Sequence, residues 1–497
     1  MAHDLLVNPL LSWRDTGRRR ARTTLPGVLA RLASGELADF PRLRTHQLHP
    51  WCMFLTQLAA IVLRALGLAD PRLSEEEWRR GLLHLTDGQH EPWRLVVDDL
   101  SKAAFFQPPV PEGSVAKWTT RDRPDDIDVL VTAKSHDVKQ SLMRGDEPET
   151  WAYALVALQT TQGYAGSGHN AISRMNKGYG SRARVGLTRD HSLAARFLRD
   201  VKVLLNLWPL LIERGYRENG IALVWLEPWD GRQSLPMEAL APHFIEVCGR
   251  RRCFMSGQQI HCRNTTTTVR RCISEIETGD VGDAWIPISR LDRRALTVSK
   301  NGFTYQKLAE LFDDHYVDAP AQQLLRDDAE SMFFVASVMA RGQGETQGLH
   351  ERILPLTKRV LPILGQPDAR AALGKRASER VASAQKMRSK VLFPALKQLV
   401  LQATPPNDGF DARVDEIFFD HLFGTIEMGD EEARLAFERE LRVLAQVELA
   451  QAIDRSATAD ARRFKAISAA ESMFNACLRK NFSDLFTSSE ATEGVSA

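Results

Sequence analysis

The change of character after Pro367 constrains the fold most. Beyond it, strand signals thin out and long helical patterns take over. Helices are expected over about 368–403, 410–424, 430–454 and 457–482, with Pro394 kinking the first and Asp430 and Ser456 as caps. Leu435, Leu441, Leu444 and Val447 keep roughly helical spacing. Four helices with short connections predict an antiparallel bundle. The expected class is therefore α+β, with a mixed α/β domain over 1–366 and a four-helix bundle over 367–497.

The first part mixes periods. Residues 51–68 read as a helix apolar around most of its girth, hence buried between other elements. Its run from Cys52 to Leu68 contains Gln57 and Arg64 and reads as too short to span a bilayer comfortably. The start lacks the basic, apolar and cleavable parts of a signal peptide, so a soluble cytoplasmic protein with no membrane partner is expected. Ser74 and Glu77 form a capping-box pattern. Leu5-Leu6-Val7 reads as a short strand, Glu149–Leu158 as a buried helix, and the Phe244–Val247 and Gln259–Cys262 stretches as strands. Asp190 is the expected cap of a helix running on from Ser192, and Pro209 should end or kink it.

The formal net charge is only +2, so any nucleic-acid surface must be local. Four of the six cysteines lie within Cys248–Cys272, beside His261. Their spacing fits no common structural zinc pattern, so reduced thiols on strands are expected, with no metal or cofactor.

Polar, glycine-bearing segments carry the functional reading. The apolar run Met332–Ala340 leads into Arg341-Gly342-Gln343-Gly344-Glu345-Thr346-Gln347-Gly348-Leu349-His350-Glu351-Arg352. Three glycines in seven residues disfavour a helix and suit a tight turn, here a polar loop on a buried element. Gly163-Tyr164-Ala165-Gly166-Ser167-Gly168 follows a helix and lacks the lysine of a phosphate loop. Its missing side chains would let the backbone approach a partner such as the DNA minor groove; a plain connector is the alternative. His136-Asp137 suggests a metal-dependent nuclease or phosphohydrolase, but nothing else completes a ligand set. No nucleophile–base arrangement stands out, so binding is favoured over catalysis.

Together these segments resemble CasA, the large subunit of the type I-E CRISPR Cascade complex of antiviral defence. The resemblance runs through Asp4-Leu5-Leu6 and Trp13, Phe106-Gln107-Pro108, Leu155–Gln159 leading into Gly163, Phe244–Cys248 and Gly282–Pro287. The Arg341–Arg352 stretch is similar to the family pattern Arg-Gly-Gln-Gly-Lys-Thr-Glu-Gly-Tyr-His-Glu-Arg. The resemblance implies a non-enzymatic subunit that recognises the protospacer-adjacent motif through the minor groove, helps open the duplex for R-loop formation and recruits the Cas nuclease-helicase. Its implied partners are guide RNA, double-stranded target DNA and other Cascade subunits.

Residue by residue, it implies motif contacts by Gly163, Tyr164, Ala165 and Gly166 with Arg270 or Arg271, and a duplex wedge at Gln343, Thr346 or Gln347. A first loop at the RNA end falls on Lys134, Ser135, His136 and Lys139. The basic run of the first bundle helix, including Lys375, Arg376, Arg380 and Lys386, is a candidate track for the non-target strand. Glu345 stands where the family pattern has lysine, and Gln347 where it has glutamate.

Overall fold

The computed structural model describes residues 3–128, 147–163, 167–176, 182–342, 345–399, 409–455 and 460–487. The chain divides into two compact units, Met1–Gly302 with Val317–Thr357, and Phe303–Tyr316 with Lys358–Ala497. This division falls earlier than the expected 366/367 boundary and assigns Phe303–Tyr316, an insertion in sequence, to the helical unit.

The first unit is built around the helix Thr45–Leu66, which ends on Gly67 in the left-handed region at φ 67°. At 22 residues this helix is long and apolar enough to cross a membrane, contrary to the estimate from sequence. Here most of it is buried inside the protein. Trp51, Phe54, Leu55 and Leu58 are fully buried, and Trp51 meets Tyr153 edge-on at 4.8 Å. Tyr153 belongs to the neighbouring helix Pro148–Thr161, itself buried on nearly every side. The Ser74/Glu77 capping box opens the helix Glu75–His84 as its sequence predicts.

Two of the local expectations need correction. Leu5 and Leu6 are buried in a turn rather than a strand. The Asp4 carboxylate accepts from the Leu6 amide, and the Asn8 side chain accepts from the Asp4 amide, which closes the chain locally. The helix Leu193–Arg214 is capped by Ser192, whose hydroxyl accepts from Ala195 N at 3.1 Å. Asp190 sits one step earlier and accepts from Ser192 N. Pro209 lies inside that helix, which does not end there.

Two sheets position the candidate site. In one, Thr119–Arg121, Gln259–Thr265 and Arg250–Ser256 lie side by side in that order, antiparallel. In the other, Met332–Gly342 is the central strand between Glu345–Leu356 and Arg184–Thr188. Being central, Met332–Gly342 is buried on both faces: Phe334, Ala336 and Val338 on one, Val335, Ser337 and Met339 on the other. Thus the polar stretch read as a loop is mostly strand, the descending arm of a long hairpin. The pairing runs from Met332↔Leu356 to Ala340↔Gly348, then slips to Arg341↔Thr346 and Gly342↔Glu345. Gly348, at φ 119°, takes up the extra residue of this bulge.

The second unit is helical. Pro367–Lys386 passes through a π-helical turn, Met387–Leu392, into Phe393–Leu399. Pro394 has no N–H to return to the preceding turn, a usual setting for such a bulge. Phe410–Gly424, Asp430–Arg455 and Asp460–Asn481 complete the expected four-helix set. The inserted helix Tyr305–Phe312 packs on them through Tyr305 against Phe418 and Phe312 against Phe419. Ser456, an expected cap, lies outside the described residues.

Candidate nucleic-acid interface

The exit of the helix Pro148–Thr161 is fixed by Gln159. Its amide donates to Phe106 O at 3.0 Å and Gly249 O at 2.9 Å, and its carbonyl oxygen accepts from the Cys248 and Gly249 amides. Four bonds from one buried side chain set where the glycine segment begins. Gly163 is buried at that point; Tyr164, Ala165 and Gly166 lie outside the described residues. The segment returns at Gly168, φ 78°, where an added Cβ would stand 2.5 Å from Thr266 Cβ. Gly168 O accepts from Thr267 N at 3.0 Å, and Asn170 donates to Thr267 Oγ1 at 2.9 Å. Burial, then Arg251 and Arg121, hold the nearby His169 below its usual pKa. Asn170, Thr266 and Thr267 were not singled out from sequence, because their meeting depends on a long-range return of the chain.

At the hairpin tip Gln343 lies outside the described residues. Thr346 and Gln347 are half-buried, and Gln347 Nε2 donates to Glu345 Oε1 at 2.8 Å. At the base of the tip, burial pulls Arg341 below its usual pKa, with Asp128 and Cys248 the charged or ionisable groups in reach. Arg341 at the base of the hairpin tip and Gln159 ahead of the glycine segment therefore both lie near Cys248. Lys134, Ser135, His136 and Lys139, with Asp137, lie outside the described residues. The chain leading to them is anchored at Asp128, which receives His46 Nε2 at 2.6 Å and Gln47 Nε2 at 2.5 Å.

The basic pair is placed differently from its expected role. Arg271 is only 3% exposed; it donates to Glu227 O and Pro228 O and stacks over Trp229. Arg270 donates to Ile273 O and Ile276 O, both at 2.6 Å. Both guanidiniums thus brace loops around the strand Gln259–Thr265, and Arg271 presents no exposed surface to a groove.

In the helical unit, Arg376 donates to Thr425 O, Ile426 O and Met428 O and pairs with Asp430 at 2.5 Å, closing the open end of Phe410–Gly424. Arg380, 3% exposed, donates to Thr425 Oγ1 at 2.7 Å and covers Phe437. Lys386 Nζ lies over the Phe482 ring. Of the four residues assigned to a strand track, Lys375 alone has a mostly exposed side chain free of carbonyl and ring contacts, facing Glu379 at 3.9 Å. Arg376 and Arg380 follow the buried phase of Leu373, Ala377 and Ala384, which turns them inward.

Cys253 and Cys262 face one another across the sheet of Arg250–Ser256 and Gln259–Thr265, while His261, one residue before Cys262, points to the opposite face toward Asp122 and Phe254. Strand alternation therefore separates the histidine from the thiols. Among the described residues no three His, Cys, Asp or Glu side chains group to hold a metal.

No family model matches the sequence, and no curated protein does. The fold, by contrast, has counterparts among solved structures. A mixed unit bearing a long hairpin, followed by a helical bundle, is the architecture of a class of CRISPR-associated proteins. That class is Cse1, also called CasA. The Acidimicrobium ferrooxidans Cse1 superposes with a TM-score of 0.65 at 15% identity over 98% of this chain and 99% of its own. Thermus thermophilus CasA (Cse1) gives 0.64 at 13% identity over 96% and 99%. A chain of a CRISPR RNA-guided surveillance complex gives 0.54 at 13% identity over 95% and 99%. The chain has the Cse1/CasA fold over nearly its whole length.

Proposed function

We propose that this chain is the Cse1/CasA-type large subunit of a cytoplasmic RNA-guided surveillance complex. In this reading it recognises a short motif in duplex DNA beside the guide-matched sequence, helps open the duplex and recruits the nuclease-helicase, without catalysis of its own. The observation that carries the reading is end-to-end agreement with Cse1 proteins, with no large region of either chain left over. The nearness of Arg341, at the base of the hairpin tip, and of Gln159, ahead of the glycine segment, to Cys248 supports it physically. A backbone without side chains can approach the floor of a groove about 6 Å wide. A hairpin tip next to it would then stand where the first base pair must part.

The roles divide accordingly. Gly163, Tyr164, Ala165 and Gly166 approach the minor groove, with Arg270 the basic neighbour retained from the pair. Gln343, Thr346 or Gln347 supplies the wedge, and the 134–139 segment meets the RNA end. Lys375 retains the strand-track role that Arg376 and Arg380 do not fit. The domain reading, motif loops on the mixed part and a helical bundle later in the chain, belongs to the same proposal.

The test is duplex binding by the guide complex assembled with and without this chain, on targets differing only in the three base pairs beside one guide-matched sequence. Affinity should require the chain and follow those base pairs, and Gly166→Asp should abolish the preference. Binding blind to the flanking sequence would overturn motif reading.

A further inference from the structure

A cavity of about 250 Å³ lies between the hairpin sheet and the opening turns of two helices. Its floor is a row across three strands, since Arg184, Ser337 and Glu351 are register partners. Its roof is His49 of Thr45–Leu66 together with Ser192 and Arg196 at the start of Leu193–Arg214. The mouth carries the exposed Asp190, His191 and Glu351. The volume falls below the roughly 300–1,000 Å³ of pockets for drug-sized ligands and suits a compact group.

The polar atoms around this space lack partners. Both ring nitrogens of His49, Nε of Arg184 and Nη2 of Arg196 are buried without a hydrogen bond. His49 is 5% exposed and Arg184 3%. Leaving such groups unsatisfied is costly, so a cluster of them around one cavity points to something that fills it.

Of the two arginines, Arg184 is committed to a carboxylate, while Arg196 has the carboxylates of Asp200 and Glu351 in electrostatic reach but hydrogen-bonds to neither. Arg184 Nη2 pairs with Asp200 at 2.8 Å, and the same carboxylate oxygen accepts from Trp285 Nε1. Glu351 is exposed at the mouth, and Asp190 is engaged by Ser192 N. The Arg196 side chain makes no ion pair or hydrogen bond among the described residues. Burial, with Arg184 beside it, depresses its pKa to about 9. Burial holds His49 neutral, down at about 3, leaving it one donor and one acceptor. The positive end of a 22-residue helix points into the same space from Ser192.

We propose that this cavity binds a single phosphate-type oxyanion, either free orthophosphate or the terminal phosphate of a monoester, between Arg196, Arg184 and His49. The two arginines supply directed N–H donors to its oxygens, and the neutral imidazole donates to one more. This site is independent of motif reading: it lies midway along the hairpin, around the Ser337–Glu351 pair, rather than on its tip, and stands or falls separately.

The experiment is thermal melting and calorimetric titration of the full chain, freed of phosphate, with inorganic phosphate, uridine 5′-monophosphate and uridine. Phosphate or the monophosphate should raise the melting temperature and bind with measurable heat, while uridine should do neither. Phosphate acting alone would assign a free-anion site, and the monophosphate acting alone would assign a terminal phosphate. Arg196→Gln should weaken phosphate binding at least tenfold. In phosphate-free buffer it should melt no lower than the parent, because among the described residues the Arg196 side chain makes no hydrogen bond or ion pair for the substitution to break. Lys480→Gln, an exposed position of the helical unit, should keep the parent's response. No response to either phosphate ligand, an equal response in Arg196→Gln, or a response to uridine matching that to the monophosphate would overturn the proposal.

Discussion

The hairpin Met332–Leu356 and the helix Pro367–Lys386 are both dense in polar and basic residues, yet they spend them in opposite ways. On the hairpin the apolar strand is buried on both faces, and the polar residues Thr346 and Gln347 collect at the half-buried tip. On the helix, Arg376 and Arg380 turn toward the bundle and satisfy carbonyls and a hydroxyl there. Local charge density therefore marks neither a surface nor a phosphate track. What matters is the phase of each charge relative to the stripe the element buries. Arg271, stacked on Trp229 beneath two carbonyls, teaches the same lesson within the first unit.

The sharpest way to break this contrast is Arg376→Ala. Loss of three carbonyl bonds and the Asp430 pair should destabilise the helical unit by about 2–4 kcal/mol, read from the denaturant midpoint. An unchanged midpoint together with a lower salt slope for duplex binding would make this helix a phosphate track after all. Next comes Gly348→Ala, which forces an alanine to φ 119° at the bulge. It should cost about 1–3 kcal/mol and loosen amide protection along the hairpin; protection equal to the parent would mean the bulge does not set the tip.

Replacing Gln343, Thr346 and Gln347 together with alanine should slow duplex opening about tenfold, equivalent to ~1.4 kcal/mol, while binding of pre-melted target stays near the parent value. Equal loss on both targets would remove the wedge. The smallest effect is expected from Lys375→Gln, which should lower the salt slope by about one at most, with the melting temperature unmoved. A fall in stability there would show that even this exposed lysine is structural.

Much of the local architecture was legible. The Ser74/Glu77 pair announces its helix because a capping box needs only residues three apart. The girth of the core helix predicts its burial, and the four bundle helices follow from period alone. Leu5-Leu6-Val7 misled because Asp4 and Asn8 close a turn that competes with strand pairing. Arg341–Arg352 misled in part. Glycines mark the turn correctly, but strand pairing reaches past them through His350 and Arg352. Asn170, Thr266 and Thr267, which seat the glycine segment, carry no sequence signal, since Thr267 lies 97 residues from Asn170.

By itself the sequence determined periods, caps and turns: which stretches could be helix or strand, where glycine was needed, and that a mixed part precedes a helical one. These are short-range properties, set by backbone sterics and by side chains a few residues apart. Tertiary structure alone decided which arginines face inward. It also decided that Arg341 of the hairpin and Gln159 ahead of the glycine segment come near Cys248, and that His49, Arg184 and Arg196 surround one cavity. The reason is that sheet pairing and helix packing join residues over a hundred positions apart, and the partner each charge finds there, or lacks, is fixed by the fold rather than by its neighbours in the chain.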